Sequence, residues 1–215
     1  MLTLHDYELS GNCYKLRLFL ALLGLAYRTV PVDFYPGAEH RSARFLALNP
    51  LGQLPVIEDD GLVLRDAQAI LVYLAARYDP SGRWYPRDDA ALLGRVGAWL
   101  AFAEALNGTA AAARLHEGFF LDVDAPRARA GAHRLFRVLD QHLWFGEAEG
   151  RDWLCPGAHP TIADIACFPA VVLSEEGGVP RQDYPAIRRW TDRVKRLPGF
   201  VVMSGVFPAG PGRAA

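Results

Sequence analysis

The stretch that decides the fold lies at residues 49–56 and reads Asn49-Pro50-Leu51-Gly52-Gln53-Leu54-Pro55-Val56. Its first four residues are typical of a turn, and its last two open a short apolar run, residues 55–58, that is typical of a strand. A second such run, residues 62–64, follows after Asp59-Asp60-Gly61, which is a hairpin signal. The pattern predicts an antiparallel β-hairpin that is entered through a proline.

The residues around this hairpin alternate between strand and helix patterns. Pro31 confines the second predicted strand to an edge or an irregular position, and Asp66 stands where the last helix needs an N-cap. Because a βαβ crossover joins parallel strands, the order βαβ, α, ββα predicts a four-stranded mixed sheet with flanking helices. The predicted elements are strands over residues 2–5, 27–33, 55–58 and 62–64, and helices from the turn at 10–12 to about 23, over 42–48 and over 67–77.

The second part of the chain has a different pattern. Residues 78–88 contain Pro80, Gly82 and Pro86 and predict a linker, and strand signals almost vanish after it. The chain is therefore predicted to have an α/β domain over 1–77 and an all-helical domain over 89–215. The predicted helices of the second domain cover residues 90–115, 126–145, 161–173 and 185–197.

Composition excludes several classes of protein. With 51% hydrophobic and 22% charged residues, the 215-residue chain is neither disordered nor collagen-like. The near balance of 23 basic and 24 acidic residues provides no general attraction for nucleic acid. The three cysteines form no Cys-x-x-Cys pair, so they cannot make a zinc ribbon or a two-thiol redox motif, and they favour a reducing compartment. The apolar stretch at residues 16–25 is interrupted by Arg17 and is too short to span a bilayer, so we expect a cytoplasmic protein without a membrane partner.

Three segments together resemble the cytosolic glutathione transferase family, especially its serine-type zeta and theta members. They are residues 10–17, which begin Ser10-Gly11-Asn12-Cys13, residues 49–56 quoted above, and residues 64–74, which begin Leu64-Arg65-Asp66-Ala67. The segment Thr161-Ile162-Ala163-Asp164 is a weaker, fourth match, and its spacing is that of a capping box, which concerns folding and not catalysis. The resemblance implies a thioredoxin-like N-terminal domain, a helical C-terminal domain and a homodimer. It also implies glutathione as cosubstrate, with no metal or prosthetic group.

The thiol-activating residue implied by the resemblance is Ser10, with Asn12 as a second candidate. A thiol pKa of about 8.5 must fall by roughly two units for the thiolate to dominate at neutral pH, which requires about 2.7 kcal/mol. One hydrogen bond to a charged group supplies about 1.5–3 kcal/mol, and a helix N-terminus adds about 0.3–1 kcal/mol. A single hydroxyl at the start of a helix is therefore sufficient. The alternative is that Ser10 is a plain N-cap or turn residue.

The resemblance also implies where glutathione binds. In thioredoxin-like folds a proline such as Pro55 is typically cis, so that the backbone of Leu54 can pair with an extended peptide as another strand would. Gln53 and His40, with neighbouring Arg41, would meet the glycyl end of the ligand. The alternative for His40 is a solvated loop residue, and Gln53 could also be a plain loop residue.

Asp66 and Ala67 would hold the glutamyl end at the N-terminus of the third helix. The family usually carries an acidic residue followed by serine here, so Ala67 removes a hydroxyl donor. Loss of a hydrogen bond to a charged group weakens binding by roughly ten- to a hundredfold. Asp66 could alternatively serve only as the N-cap of the helix.

An electrophile pocket is expected between the two domains, with mostly apolar walls. An aromatic stripe at helical spacing can equally belong to the core. The candidates are Tyr7, Trp99, Phe102, Leu106 and Phe207.

The function predicted from these residues is a glutathione transferase-like enzyme that activates the thiol for attack on small electrophiles. Conjugation, isomerisation and dehalogenation would use the same thiolate. One alternative is a binding protein that kept the fold and lost the chemistry, which Ala67 suggests. Another is a peroxidase or disulfide reductase that depends on Cys13, because helix N-termini lower thiol pKa values. A buried, structural Cys13 is the competing interpretation.

Overall fold

A four-stranded mixed sheet forms the first part of the molecule in the computed structural model, which describes residues 1–206. The strand order is β2-β1-β3-β4, with β1 parallel to β2 and antiparallel to β3, and with β3 antiparallel to β4. This is the predicted topology, and β2 lies at an edge as Pro31 indicates. The strands are β1 (Thr3–Asp6), β2 (Arg28–Pro31), β3 (Val56–Asp59) and β4 (Leu62–Arg65).

The helices beside this sheet begin at side-chain caps. The hydroxyl of Ser10 accepts a hydrogen bond from the Cys13 N–H at 3.2 Å, and the carboxylate of Asp66 accepts one from the Ala69 N–H at 2.8 Å. Each bond satisfies an N–H group that a helix start leaves without a partner. These elements are α1 (Gly11–Leu22), a 3₁₀ turn (Glu39–Arg41), α2 (Ala43–Leu48) and α3 (Ala67–Tyr78).

The second part of the chain consists of helices and the loops that connect them through residue 195. Its elements are α4 (Ala90–Leu106), a π-helical turn (Asn107–Ala111), α5 (Ala112–Phe119), α6 (Ala125–Ala148), α7 (Ile162–Val172), a 3₁₀ turn (Ser174–Gly177) and α8 (Pro185–Lys195). Helix α3 ends at Tyr78 and α4 begins at Ala90. The domain division at residues 78–88 stays a prediction.

The predicted single helix over residues 90–115 is wrong in one respect. A wide π turn at Asn107–Ala111 separates α4 from α5. The Thr109 hydroxyl donates to the Ala105 carbonyl at 2.8 Å, a bond that competes with the regular backbone ladder and bends helices. The sequence Asn107-Gly108-Thr109 carries poor helix formers and was the available signal for this interruption.

Helix α7 lies at the centre of the molecule, and all of its residues are buried. It packs against α1 and α3 of the sheet-bearing part and against α4 and α8 of the helical part. Phe168 of α7 and Phe19 of α1 belong to the same buried apolar cluster. The two parts of the chain therefore share one core. Within residues 1–206, no helix is long and apolar enough to cross a membrane.

The fully buried carboxylate of Asp164 secures the start of α7. One of its oxygens accepts from the Leu154 N–H at 3.0 Å and from the Trp190 indole N–H at 2.9 Å, and the other accepts from the Thr161 N–H at 2.9 Å. Burial raises the pKa of this carboxyl, whereas the hydrogen bonds lower it. The predicted capping box with Thr161 is present, and two further bonds tie α7 to the segment before it and to α8.

We predict that Asp164→Ala lowers the free energy of unfolding by about 3 kcal/mol or more, because each buried donor left without a partner costs about 1–3 kcal/mol. Thr161→Ala, which removes only the capping hydroxyl, should cost about 1 kcal/mol. Urea denaturation of the two variants and the wild type measures both values. Equal, small losses in the two variants would contradict the importance of the additional bonds to Leu154 and Trp190.

Candidate active site in the cleft between the two parts

A cavity of about 350 Å³ opens between the sheet-bearing part and the helical part. The N-terminus of α1, residues 52–55 and the N-terminus of α3 form one side of it. The end of α4, the π turn, α5 and α7 form the other side. The cavity therefore collects two helix N-termini and a stretch of irregular backbone, which are the parts of a fold that offer unpaired N–H groups.

Ser10 lies half-buried on the wall of this cavity, at the N-cap of α1. Its oxygen accepts the Cys13 N–H, which leaves its own O–H hydrogen free to donate. The N-cap role and a role toward a ligand thus do not exclude each other. Asn12 also lines the cavity, and its amide oxygen accepts a hydrogen bond from the Lys15 ammonium group at 3.0 Å.

Residues 52–55 line the cavity just before β3. The Leu54–Pro55 peptide bond is cis, and neither the N–H nor the C=O of Leu54 has a backbone partner within residues 1–206. The Asn49 side chain holds the loop by donating to the Gln53 carbonyl at 2.8 Å. Gly52 has a φ of +60°, and a Cβ there would lie 3.0 Å from the His40 carbonyl oxygen. The backbone groups of Leu54 are thus unpaired beside the cavity, and the cis bond is the one that the family resemblance implied.

Asp66 and Ala67 also line the cavity, at the start of α3. Asp66 has a φ of +73°, a conformation that costs a non-glycine residue about 1–3 kcal/mol. Its exposed carboxylate caps the Ala69 N–H, while Ala67 is buried. A strained residue that persists beside a cavity is typical of a functional position.

His40 does not reach the cavity and lies behind it, which corrects its predicted place. It is 8% exposed, and its ring stacks on Phe34 with 4.2 Å between the ring centroids. Burial and the neighbouring Arg41 lower its pKa, so the ring is neutral at pH 7 and a poor partner for a carboxylate. Its Nδ1 atom has no hydrogen-bond partner within residues 1–206. Phe34, not His40, forms this part of the wall.

Three aromatic rings form an apolar end of the cavity. Tyr7, which was predicted for this pocket, has its ring centroid 5.6 Å from that of Phe34 and 5.9 Å from that of Phe119. Burial raises the pKa of Tyr7, so its hydroxyl remains protonated. Phe34 and Phe119 were not predicted. They lie in loop and helix-end positions that only the folded chain brings together.

The other predicted pocket residues do not line this cavity, because the stripe on α4 faces other helices. Leu106 is fully buried in the core. Trp99 packs on Phe102 and on His142, with ring centroids 5.0 Å and 4.7 Å away, and lines a separate cavity of about 220 Å³. Phe207 lies outside the described residues.

The helical part instead supplies polar groups that the sequence analysis missed. Glu104 and Asn107 line the cavity near the end of α4, and Arg114 lines it from α5. Arg114 is 7% exposed and donates to the Leu9 carbonyl at 2.8 Å and to the Glu176 carboxylate at 2.6 Å. It therefore fastens the residue before Ser10 to the helical part.

Cys13 has the character of a structural thiol. It is fully buried, and burial raises its pKa to about 12. Its sulfur accepts a hydrogen bond from the Tyr7 N–H at 3.4 Å. Cys155 and Cys167 are also buried and free. A redox nucleophile needs an accessible thiol with a lowered pKa, and Cys13 has neither property.

Both parts of the chain match known family descriptions. Residues 9–77 match "Glutathione S-transferase, N-terminal domain", and residues 110–193 match "Glutathione S-transferase, C-terminal domain". The chain is 32% identical over 209 residues to maleylacetoacetate isomerase of Pseudomonas aeruginosa, and the match covers 92% of each protein.

Solved structures agree with this result. A possible glutathione S-transferase from Rhodopseudomonas palustris superposes with a TM-score of 0.82 at 32% identity, covering 94% of this chain and 97% of the other. A glutathione transferase homologue from Lodderomyces elongisporus, solved with two glutathione molecules per subunit, superposes with a TM-score of 0.81 at 28% identity, covering 92% and 94%. The chain therefore belongs to the cytosolic glutathione S-transferase family of enzymes.

Proposed function

We propose that this enzyme binds glutathione in the cleft and activates its thiol with the hydroxyl of Ser10 for attack on small electrophiles. The observation that carries the proposal is the position of Ser10, whose O–H is free to donate into the cavity from the start of a helix. The bound glutathione in the Lodderomyces elongisporus homologue supports the choice of thiol.

Groups in the cleft would pair with each portion of an extended tripeptide. The free backbone groups of Leu54 would pair with the cysteinyl residue of glutathione, as an added strand pairs with a sheet edge. The Asp66 carboxylate and the first N–H groups of α3 would meet the ammonium and the carboxylate of the glutamyl end. Gln53 also lines the cavity and would meet the glycyl end.

Once the thiol is held, the chemistry needs little from the protein. Ser10 donates a hydrogen bond to the thiolate sulfur, and the positive end of α1 favours the same charge. The thiol releases its proton to solvent, and the resulting thiolate forms a bond from its sulfur to carbon of the electrophile. The bond from that carbon to the leaving group breaks, and the leaving group takes the bonding electrons. The rings of Tyr7, Phe34 and Phe119 favour an electrophile with a flat, apolar body. The relative from Pseudomonas aeruginosa is an isomerase by name. For an isomerisation in this cleft, the same thiolate would add to the substrate and leave again.

The first prediction of this proposed function concerns the affinity of the protein for reduced glutathione, measured by isothermal titration calorimetry. We expect a Kd of 1 mM or tighter, about −4 kcal/mol, because Asp66 and the N-terminus of α3 remain although Ala67 lacks a hydroxyl. Ala67→Ser should bind roughly ten- to a hundredfold tighter by restoring the missing donor. The absence of binding by the wild type at millimolar glutathione would contradict the proposed function and favour a binding protein for another ligand.

The second prediction concerns Ser10→Ala. We expect kcat/KM for glutathione and the general electrophile 1-chloro-2,4-dinitrobenzene to fall about 10- to 100-fold, which corresponds to one hydrogen bond to a charged group. The pKa of the bound thiol, measured from the pH dependence of the rate, should rise by about one to two units.

Ser42→Ala is the matched control. Ser42 caps α2 by accepting the Phe45 N–H at 3.2 Å, as Ser10 caps α1, but it does not line the cavity. The Ser42→Ala substitution should lower the free energy of unfolding and leave the pKa of the bound thiol unchanged. Full activity in Ser10→Ala, together with loss of activity in Asn12→Ala, would move the donor role to Asn12.

The third prediction concerns the cysteines. Because Cys13, Cys155 and Cys167 are buried, native protein at pH 7 should react slowly with 5,5′-dithiobis(2-nitrobenzoic acid), and all three thiols should react after unfolding in guanidinium. Cys13→Ala should retain glutathione-dependent turnover. Rapid labelling of Cys13 in the native protein, with loss of activity, would revive a cysteine-dependent mechanism.

The homodimer and the cytoplasmic location stay predictions. The exposed edge strand β4, with Leu62 and Val63 on its surface, is compatible with a second copy at this side. Sedimentation equilibrium measures the oligomeric state directly.

A further inference from the structure

Lys15 is a buried cation directly behind the wall of the cleft. Its side chain is 1% exposed and does not line the cavity. The Nζ atom donates to the Asn12 amide oxygen at 3.0 Å and to the Gln68 amide oxygen at 3.3 Å. Both of these hydrogen-bond partners, the ones it has within residues 1–206, are neutral amides. A buried charge that is held only by neutral amides does not improve stability over an apolar residue, so its presence calls for another reason.

The hydrogen bonds of Lys15 decide how two cavity-lining amides are oriented. An ammonium group can only donate, so the amide oxygens of Asn12 and Gln68 must point to it and their NH₂ groups must point away. The Gln68 NH₂ group donates to the Glu104 carboxylate at 2.9 Å. The Asn107 NH₂ group donates to the same carboxylate oxygen at 3.0 Å.

This chain of bonds joins the two sides of the cleft. Asn12 and Gln68 belong to the N-terminal ends of α1 and α3, whereas Glu104 and Asn107 belong to the helical part. All four side chains line the cavity, and Lys15 is the only member of the network that does not. The Asn12 NH₂ group has no partner in the network, so it remains available as a donor on a residue of the cavity wall.

We propose that Lys15 is a positioning residue of the glutathione site, whose ammonium group orients the amides of Asn12 and Gln68 toward the ligand and toward Glu104. The proposal rests on the proposed function, since it assumes that glutathione occupies the cleft.

The charge state of Lys15 provides a signature of this role. Burial lowers its pKa to about 8, whereas the carboxylates of Glu104 in α4 and Asp66 before α3 favour the charged form. The Cys167 thiol of α7 also faces it, but burial raises the pKa of that thiol, so it stays neutral. The ammonium form therefore dominates below about pH 8 and is lost above it. Any benefit to ligand binding should follow the same curve.

The test uses S-methylglutathione, whose sulfur cannot ionise, and calorimetric titration between pH 7 and pH 9.5. We expect Lys15→Met to bind about tenfold more weakly than the wild type at pH 7, with the difference narrowing as the pH rises through about 8. The ammonium group of the ligand titrates equally in both experiments, so it cancels in the comparison. Lys195→Met is the matched control, because Lys195 lies in α8 and pairs with Asp192 at 3.5 Å. It should bind as the wild type does.

A second measurement needs no change at Lys15. The chain has two lysines, Lys15 and Lys195, so protein labelled with ¹³C-lysine gives two side-chain signals, and Lys195→Met assigns them. We expect the Lys15 signal to titrate near pH 8 and to shift when S-methylglutathione binds.

Equal affinities of Lys15→Met and the wild type at every pH would overturn the proposal, as would a Lys15 signal that saturating ligand leaves unmoved. Failure of the wild type itself to bind S-methylglutathione would instead overturn the proposed function.

Discussion

The molecule depends on the burial of one short helix between its two parts. Helix α7 is apolar on all sides, and it can stay in the interior because the Asp164 carboxylate satisfies donors at its start, from the backbone before it and from Trp190 of α8. Packing of α1 and α4 against α7 then brings the sheet-bearing and helical parts to a common core. The cleft is what remains open at the edge of this contact.

The cleft owes its chemistry to the ends of helices and to irregular backbone. Ser10 and Asp66 each cap a helix and also stand on the cavity wall. A single residue can perform both tasks because a cap accepts with its oxygen, while the hydroxyl hydrogen or the second carboxylate oxygen remains available. The unpaired backbone of Leu54 completes a row of groups that suits an extended peptide. In the proposed glutathione site, folding and ligand binding would thus use the same few residues.

The helical part contributes charged and polar side chains to the wall of the cleft. Glu104 of α4, Asn107 of the π turn and Arg114 of α5 line the cleft from this side. Arg114 then ties Leu9, next to Ser10, to Glu176, and Lys15 ties the start of α1 to α3. Arg114 and Lys15, whose charged side chains are almost fully buried, therefore hold the two sides of the cleft in fixed positions around Ser10.

The sequence by itself determined the order of the elements and the mixed sheet, and through the family resemblance it singled out the residues of local motifs that line the cleft. These motifs depend on residues that are close in sequence, so they can be recognised without knowledge of the fold. They are the turn at 49–52 with its following proline, the caps Ser10 and Asp66, and the capping box of α7. Only the tertiary structure decided which helix faces line the cleft. It placed Trp99, Phe102 and Leu106 elsewhere, set His40 behind Phe34 and brought in Phe34, Phe119, Glu104 and Arg114. The physical reason is that an apolar stripe predicts that one face of a helix is buried, but it does not indicate against which other element. Only the packing of the whole chain decides that.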